Sequence, residues 1–162
     1  NNPEILLLDE PTTGLDPTAR RKIWDILRKL KKEANTTLIL TTHYMEEAEF
    51  LCERIIIMDK GKVLAKGTLQ DLLQKNYNSE IIEFSVNGNT IKANLPKMYK
   101  NSEIHWTDEY SKGKVLFDSI VDQLPDFLNF VKNQNIHLGS MECRKMTLND
   151  LFLKMTGRSL DD

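Results

Sequence analysis

Four aliphatic residues, Ile5-Leu6-Leu7-Leu8, run directly into two adjacent carboxylates, Asp9 and Glu10, and then into the turn chemistry of Pro11-Thr12-Thr13-Gly14. A short apolar run bounded by turn residues predicts a strand buried on both faces, as in a parallel sheet covered by helices. Such a strand delivers its last residues to the carboxyl edge of the sheet, where open α/β sheets bind ligands. Two acids on a rigid strand tip suit a divalent cation and an activated water.

Residues 16–43 supply a partner for that edge. Asp16-Pro17 has the form of a helix start, with the aspartate as N-cap and the proline at the first helical position. The helix is expected to run to about residue 34, burying a stripe of Ile23, Ile26, Leu27 and Leu30. Its basic residues, from Arg20 to Lys32, are expected on a solvated face and near the negative end of the helix dipole. Thr36 to Thr42 is β-branched and aliphatic and predicts a second buried strand. The right-handed crossover rule makes the two strands parallel, so His43 emerges at the same edge as Asp9 and Glu10. Three chemically competent side chains converge there from two strand ends.

Composition sets limits on partners and compartment. A length of 162 residues with 40% hydrophobic content suits one ordinary domain or two small ones. The net charge of −2 gives no excess that would steer the whole surface to nucleic acid or anionic lipid. No apolar run approaches the roughly 20 residues that span a bilayer, and no leader-like segment opens the chain, which reads as cytoplasmic material. Cys52 and Cys143 lack metal-ligand spacing and are expected to be buried free thiols. A chain that starts at Asn1 and reaches a buried strand within five residues is expected to be a piece of something longer.

Tyr44 to Cys52 reads as a short helix with Met45, Ala48, Leu51 and Cys52 inward and Glu46, Glu47 and Glu49 outward. A hairpin is expected next, Ile55 to Met58 and Val63 to Ala65 about the turn Asp59-Lys60-Gly61-Lys62. Thr68 and Asp71 have capping-box spacing for a helix ending near Tyr77. Beyond it, asparagines punctuate short apolar runs and a second unit begins. Strands are predicted at residues 81–86, 90–93, 103–106, 115–120 and 136–141, with an Asn-Gly hairpin turn after the first. A helix is expected after Pro125, presenting Phe127, Leu128 and Val131, and another over residues 147–155 with Leu148, Leu151, Phe152 and Met155 on one face. His105 and His137 are expected to pack within strands.

The segment PEILLLDEPTTGLDP, residues 3–17, resembles the Walker B segment and D-loop of ABC-type ATPases, and LTTHYMEEAE, residues 40–49, resembles their switch-histidine segment. The similarity continues through IIIMDKGKVLAKGT, and TLNDLFLKMTG resembles the C-terminal signature of subunits of the drug- and antibiotic-resistance export type. The resemblance implies an α/β fold: part of a parallel-sheet P-loop NTPase core over residues 1–77, followed by a small α+β accessory domain over residues 78–162. It implies a subunit that hydrolyses ATP to drive export. Asp9 would hold Mg²⁺, usually through a water, as suits an ion that keeps much of its hydration. Glu10 would orient and deprotonate the attacking water, and His43 would contact the γ-phosphate. Gly14, Leu15 and Asp16 match the turn that reaches across the dimer interface, although helix capping alone also accounts for Asp16. The implied partners are an integral-membrane permease and a second ATP-binding subunit at the cytoplasmic face of the membrane, with no nucleic acid.

No G-x-x-x-x-G-K-[ST] phosphate loop and no LSGGQ-like signature occurs in the sequence. The chain by itself is therefore expected to bind Mg-ATP weakly and to turn over none. Two readings remain beside export: an ABC-type ATPase acting on nucleic acid or the ribosome, and a non-catalytic dimerisation or regulatory module built on residues 78–157. A two-strand remnant of a larger sheet is also expected to leave an unpaired edge and an uncovered face.

Overall fold

The computed structural model describes residues 3–33, 36–76, 80–87, 96–107 and 111–157. The chain divides into two compact units, Asn1–Leu72 and Leu73–Asp162. In the first, strand β1 (Ile5–Asp9), helix α1 (Pro17–Glu33) and strand β2 (Thr37–Thr41) form a βαβ crossover. The strands are parallel, in register from Ile5↔Thr37 to Asp9↔Thr41. Asp16 starts α1 as expected, its Oδ1 accepting the N–H groups of Thr18 and Ala19 at 2.9 Å each.

The buried face of α1 is centred on Trp24 and Leu27, which meet Leu51 of helix α2 (Met45–Leu51) with Leu8, Leu38 and Leu40 packed against them. Ile26, assigned inward by spacing, is 57% exposed. The stripe is rotated because Trp24 has both the largest apolar surface and an N–H that finds a buried acceptor. Nor are the basic residues of α1 only solvated. Arg20 stacks 3.7 Å from the Tyr44 ring, and Arg21 and Arg28 lie over Phe50.

Helices cover one face of the β1–β2 pair. On the other, Leu7 is 71% exposed, with Ile5 and Ile39 also bare. The expected burial on both faces is thus corrected, and the uncovered face expected of a two-strand remnant is present. Strands β3 (Ile55–Asp59) and β4 (Lys62–Gly67) come next as an antiparallel hairpin. Lys60 and Gly61 at its turn have φ values of 47° and 74°, the paired left-handed geometry whose twist matches two-residue hairpins. Thr68 and Asp71 cap helix α3 (Leu69–Asn76) reciprocally, at 3.2 and 3.0 Å. Its expected end at Tyr77 lies outside the described residues.

The second unit is an antiparallel sheet of β5 (Glu80–Val86), β6 (Met98–Tyr99), β7 (Ser102–Thr107), β8 (Lys112–Phe117) and β9 (Leu138–Lys145), in the order β6-β7-β8-β5-β9. Helix α4 (Ile120–Asn133) supplies Phe127 and Val131 to a core with Ile82, Phe84, Ile104, Val115 and Phe117. The Asn-Gly turn and the strand predicted over residues 90–93 lie outside the described residues.

Several expectations shift here. Helix α4 begins at Ile120, before Pro125, because Ser119 caps it and accepts the Asp122 N–H. The proline is tolerated in the second turn since the carbonyl it cannot bond belongs to Val121, which is 84% exposed. Leu128, expected inward, is exposed. Cys143 is exposed because β9 is an edge strand, while Cys52 is half-buried and burial pushes its thiol up. His105 and His137 are exposed rather than packed. Helix α5 (Leu148–Thr156) buries Leu148 and Leu151 completely, starts with a Thr147–Asp150 capping box and ends on Gly157 at φ 66°.

Candidate functional site

The two parallel strand tips put Asp9 beside Thr41 and Glu10 beside the residues leading to His43. Thr41 Oγ1 donates to Asp9 Oδ1, and no other protein donor reaches the Asp9 carboxylate among the described residues. The chain then turns sharply. Glu10 takes a left-handed φ of 45°, which costs a non-glycine residue on the order of 1 kcal/mol, and its N–H donates to the Thr41 carbonyl at 3.0 Å.

That conformation sends the Glu10 side chain toward the second strand tip. Its Oε1 lies 3.3 Å from His43 Nδ1, and its Oε2 accepts the Thr13 hydroxyl at 3.0 Å. Both partners of the His43 contact are about half exposed, so the pair is open to a ligand from solvent. A carboxylate held beside an imidazole and a hydroxyl can orient a water and take its proton.

Gly14 comes next with φ 80° and open space where a Cβ would stand, so conformation rather than crowding calls for glycine. Leu15 is exposed, and Asp16 Oδ1 is occupied in capping α1. Of the sequence-derived candidates, Asp9, Glu10 and His43 thus share one sheet edge. Gly14, Leu15 and Asp16 lie on the turn leading away from it.

Among the described residues no three His, Cys, Asp or Glu side chains gather as a metal cage. The donor set fits only an ion satisfied by one carboxylate, several waters and ligand oxygens, which is how magnesium is usually held.

Spacing did not reveal the supports behind this edge. Glu47, assigned outward on α2, is completely buried. Its Oε1 accepts both the Thr12 hydroxyl and the Trp24 indole N–H, each at 2.8 Å. The correction has a plain cause: two donors from other elements converge on that position, which an acidic first turn does not foretell. Thr12 and Thr13 carried no signal beyond their place in a turn.

Residues 1–47 match a family model described as "AAA domain, putative AbiEii toxin, Type IV TA system". The whole chain aligns with the Nod factor export ATP-binding protein I of Paraburkholderia xenovorans (strain LB400), 34% identical over 100% of this chain and 50% of that protein. The protein of the same name from Burkholderia lata is 37% identical, again over 100% and 50%. The chain therefore spans about half the length of the curated relatives it matches. Among solved structures, cbiO1 from Clostridium perfringens, described as part of the ABC transporter complex cbiONQ, matches with a TM-score of 0.41 at 32% identity, over 46% of this chain and 30% of that one. The family model covers only the strand-tip segment and α1–α2 region, whereas the alignment to the export proteins runs the full length of the chain.

Proposed function

We propose that this chain, a homologue over its full length of the ATP-binding subunits of ABC exporters, contributes the metal- and water-handling residues of a site that hydrolyses ATP to drive export. The observation that carries this reading is the approach of Glu10 to His43, 3.3 Å apart at the ends of parallel strands. Asp9 would hold a magnesium ion, which when bound would supply charge neutralisation on the phosphates. Glu10 accepts the proton of the attacking water while Thr13 and His43 fix its two oxygens. His43 also faces the terminal phosphate with the ring nitrogen that does not meet Glu10.

Gly14, Leu15 and Asp16 meet a second ATP-binding subunit, and residues 1–77 and 78–162 act as ATPase part and accessory domain respectively. An integral-membrane permease is the partner at the cytoplasmic face; no helix among the described residues is long and apolar enough to cross a membrane itself. ATP is the nucleotide by analogy with the names of the relatives.

The test is Glu10→Gln in a protein that carries this chain together with the remaining length of its relatives. Turnover is expected to fall by roughly 10²- to 10⁴-fold while ATP binding is retained, the loss typical of a positioned general base. Wild-type turnover in the variant would assign the base elsewhere. For the 162 residues alone, Mg-ATP is expected to shift the amide resonances of Asp9, Glu10 and His43 weakly, with no release of phosphate.

A further inference from the structure

The geometry points to Glu47 as a positioning residue, one that holds Glu10 and His43 at their separation through a buried clamp. This inference rests on the reading of Glu10 and His43 as the water-handling pair. Glu47 is one of four polar or charged residues buried among those described, and it is 0% exposed. A carboxylate so placed needs a reason, because burying it without matching donors is costly.

The donors identify the reason. Thr12, itself 0% exposed, belongs to the turn between Glu10 and Gly14, whose backbone bonds link Thr13 N–H to Glu10 O and Leu15 N–H to Thr12 O. Trp24 belongs to the buried face of α1. Glu47 sits in the first turn of α2, and its own N–H donates to the Tyr44 carbonyl at 3.1 Å. Tyr44 directly follows His43, and their rings lie 4.2 Å apart. One oxygen of one side chain thus ties the loop after Glu10, the helix behind it and the helix after His43.

The second oxygen is unusual. Glu47 Oε2 is buried and has no hydrogen-bond partner among the described residues. Helix packing alone would be served better by an apolar side chain of similar volume, which leaves no orphan acceptor. The arrangement is therefore one in which fixing the two loops outweighs the optimum for packing. Because Thr12 lies two residues from Glu10 and Glu47 four from His43, slack at the clamp moves both members of the pair.

The experiment is nitrogen-15 relaxation on the 162-residue chain without nucleotide, for Thr12→Val, Glu47→Gln and Glu47→Ala. Thr12→Val keeps the shape of the side chain and removes only the tie to the loop. Order parameters of Glu10, Thr13, Gly14 and His43 are expected to fall from about 0.85, typical of rigid backbone, to below about 0.6 in Thr12→Val and Glu47→Ala. Residues 17–33 and the second unit should keep their values. Glu47→Gln is expected to restore most of the order, since its amide oxygen accepts the same two bonds, and to keep the Trp24 indole N–H resonance close to its wild-type position.

Unchanged order at Glu10 and His43 in a folded Thr12→Val protein overturns the inference, as does loosening spread evenly through the first unit. If Glu47→Ala does not fold, Thr12→Val decides alone. Failure of the ATP reading would show in the Mg-ATP titration, which none of these measurements uses.

Discussion

In the second unit, Arg144 holds two carboxylates at once. Its Nε and Nη2 donate to Glu83 Oε1 at 2.9 and 2.6 Å, and Nη1 and Nη2 grip both oxygens of Asp150 at 2.6 and 2.9 Å. Burial by itself would raise the Asp150 carboxyl, but hydrogen bonds from Arg144 and Thr147 outweigh it and hold the group below its ordinary value of 3.8. Glu83 behaves alike: burial opposes, and Arg144 with Lys114 prevails. A depressed folded-state value means stability that is full above the ordinary carboxylate range and lost as pH falls through the folded-state values. The second unit is thus expected to lose stability as pH drops below about 4, a trend that Arg144→Met should flatten in pH-dependent thermal melts. Single residues differ in how openly a sequence discloses them. Asp9, Glu10 and His43 were legible as neighbours because strand ends and a crossover rule place them. Thr12, Trp24 and Glu47 were not, since a buried polar knot is made by three elements meeting and leaves no period in any one of them.

At the scale of elements, glycine is a common turn signal, yet Gly113 lies inside β8, ahead of the strand start predicted at residue 115, opposite Phe84 on one neighbour and Trp106 on the other. The Phe84 ring covers it so closely that a Cβ would come within 2.5 Å of the ring. Gly113→Ala is expected to destabilise the second unit by about 1–3 kcal/mol through overpacking, read as a lowered midpoint in urea. The start of α4 was missed for a related reason: Pro125 dominates the local pattern, while the true boundary is Ser119 with Asp122, a weaker signal. At α5 the cap was fully local. Thr147→Ala there should cost about 0.5–2 kcal/mol, measurable in the same denaturation series. Local caps were readable where no stronger signal lay beside them, as at α5 but not at α4; a position set by an aromatic ring from a neighbouring strand, such as Gly113, was not.

For the molecule as a whole, the bare face of β1 and β2 is expected to govern behaviour in solution. Ile5, Leu7 and Ile39 form a contiguous apolar surface on a pair whose outer edges carry no further strand among the described residues. Concentration-dependent association and dye binding are expected, and Leu7→Lys with Ile39→Lys should reduce both in sedimentation and fluorescence without loss of helix signal. The bareness was foretold by the fewness of the strands, but the strands themselves were misjudged, because an unbroken aliphatic run reads as buried on both faces while only one face of this pair is covered. The two tryptophans carry a different consequence. Trp24 belongs to the first unit and donates to Glu47, whereas Trp106 belongs to the second and donates to the Pro96 carbonyl at 2.9 Å. Nature has in effect installed one optical reporter per unit, so that Trp24→Phe and Trp106→Phe each silence a single channel, and the emission that remains times the melting of one half against the other.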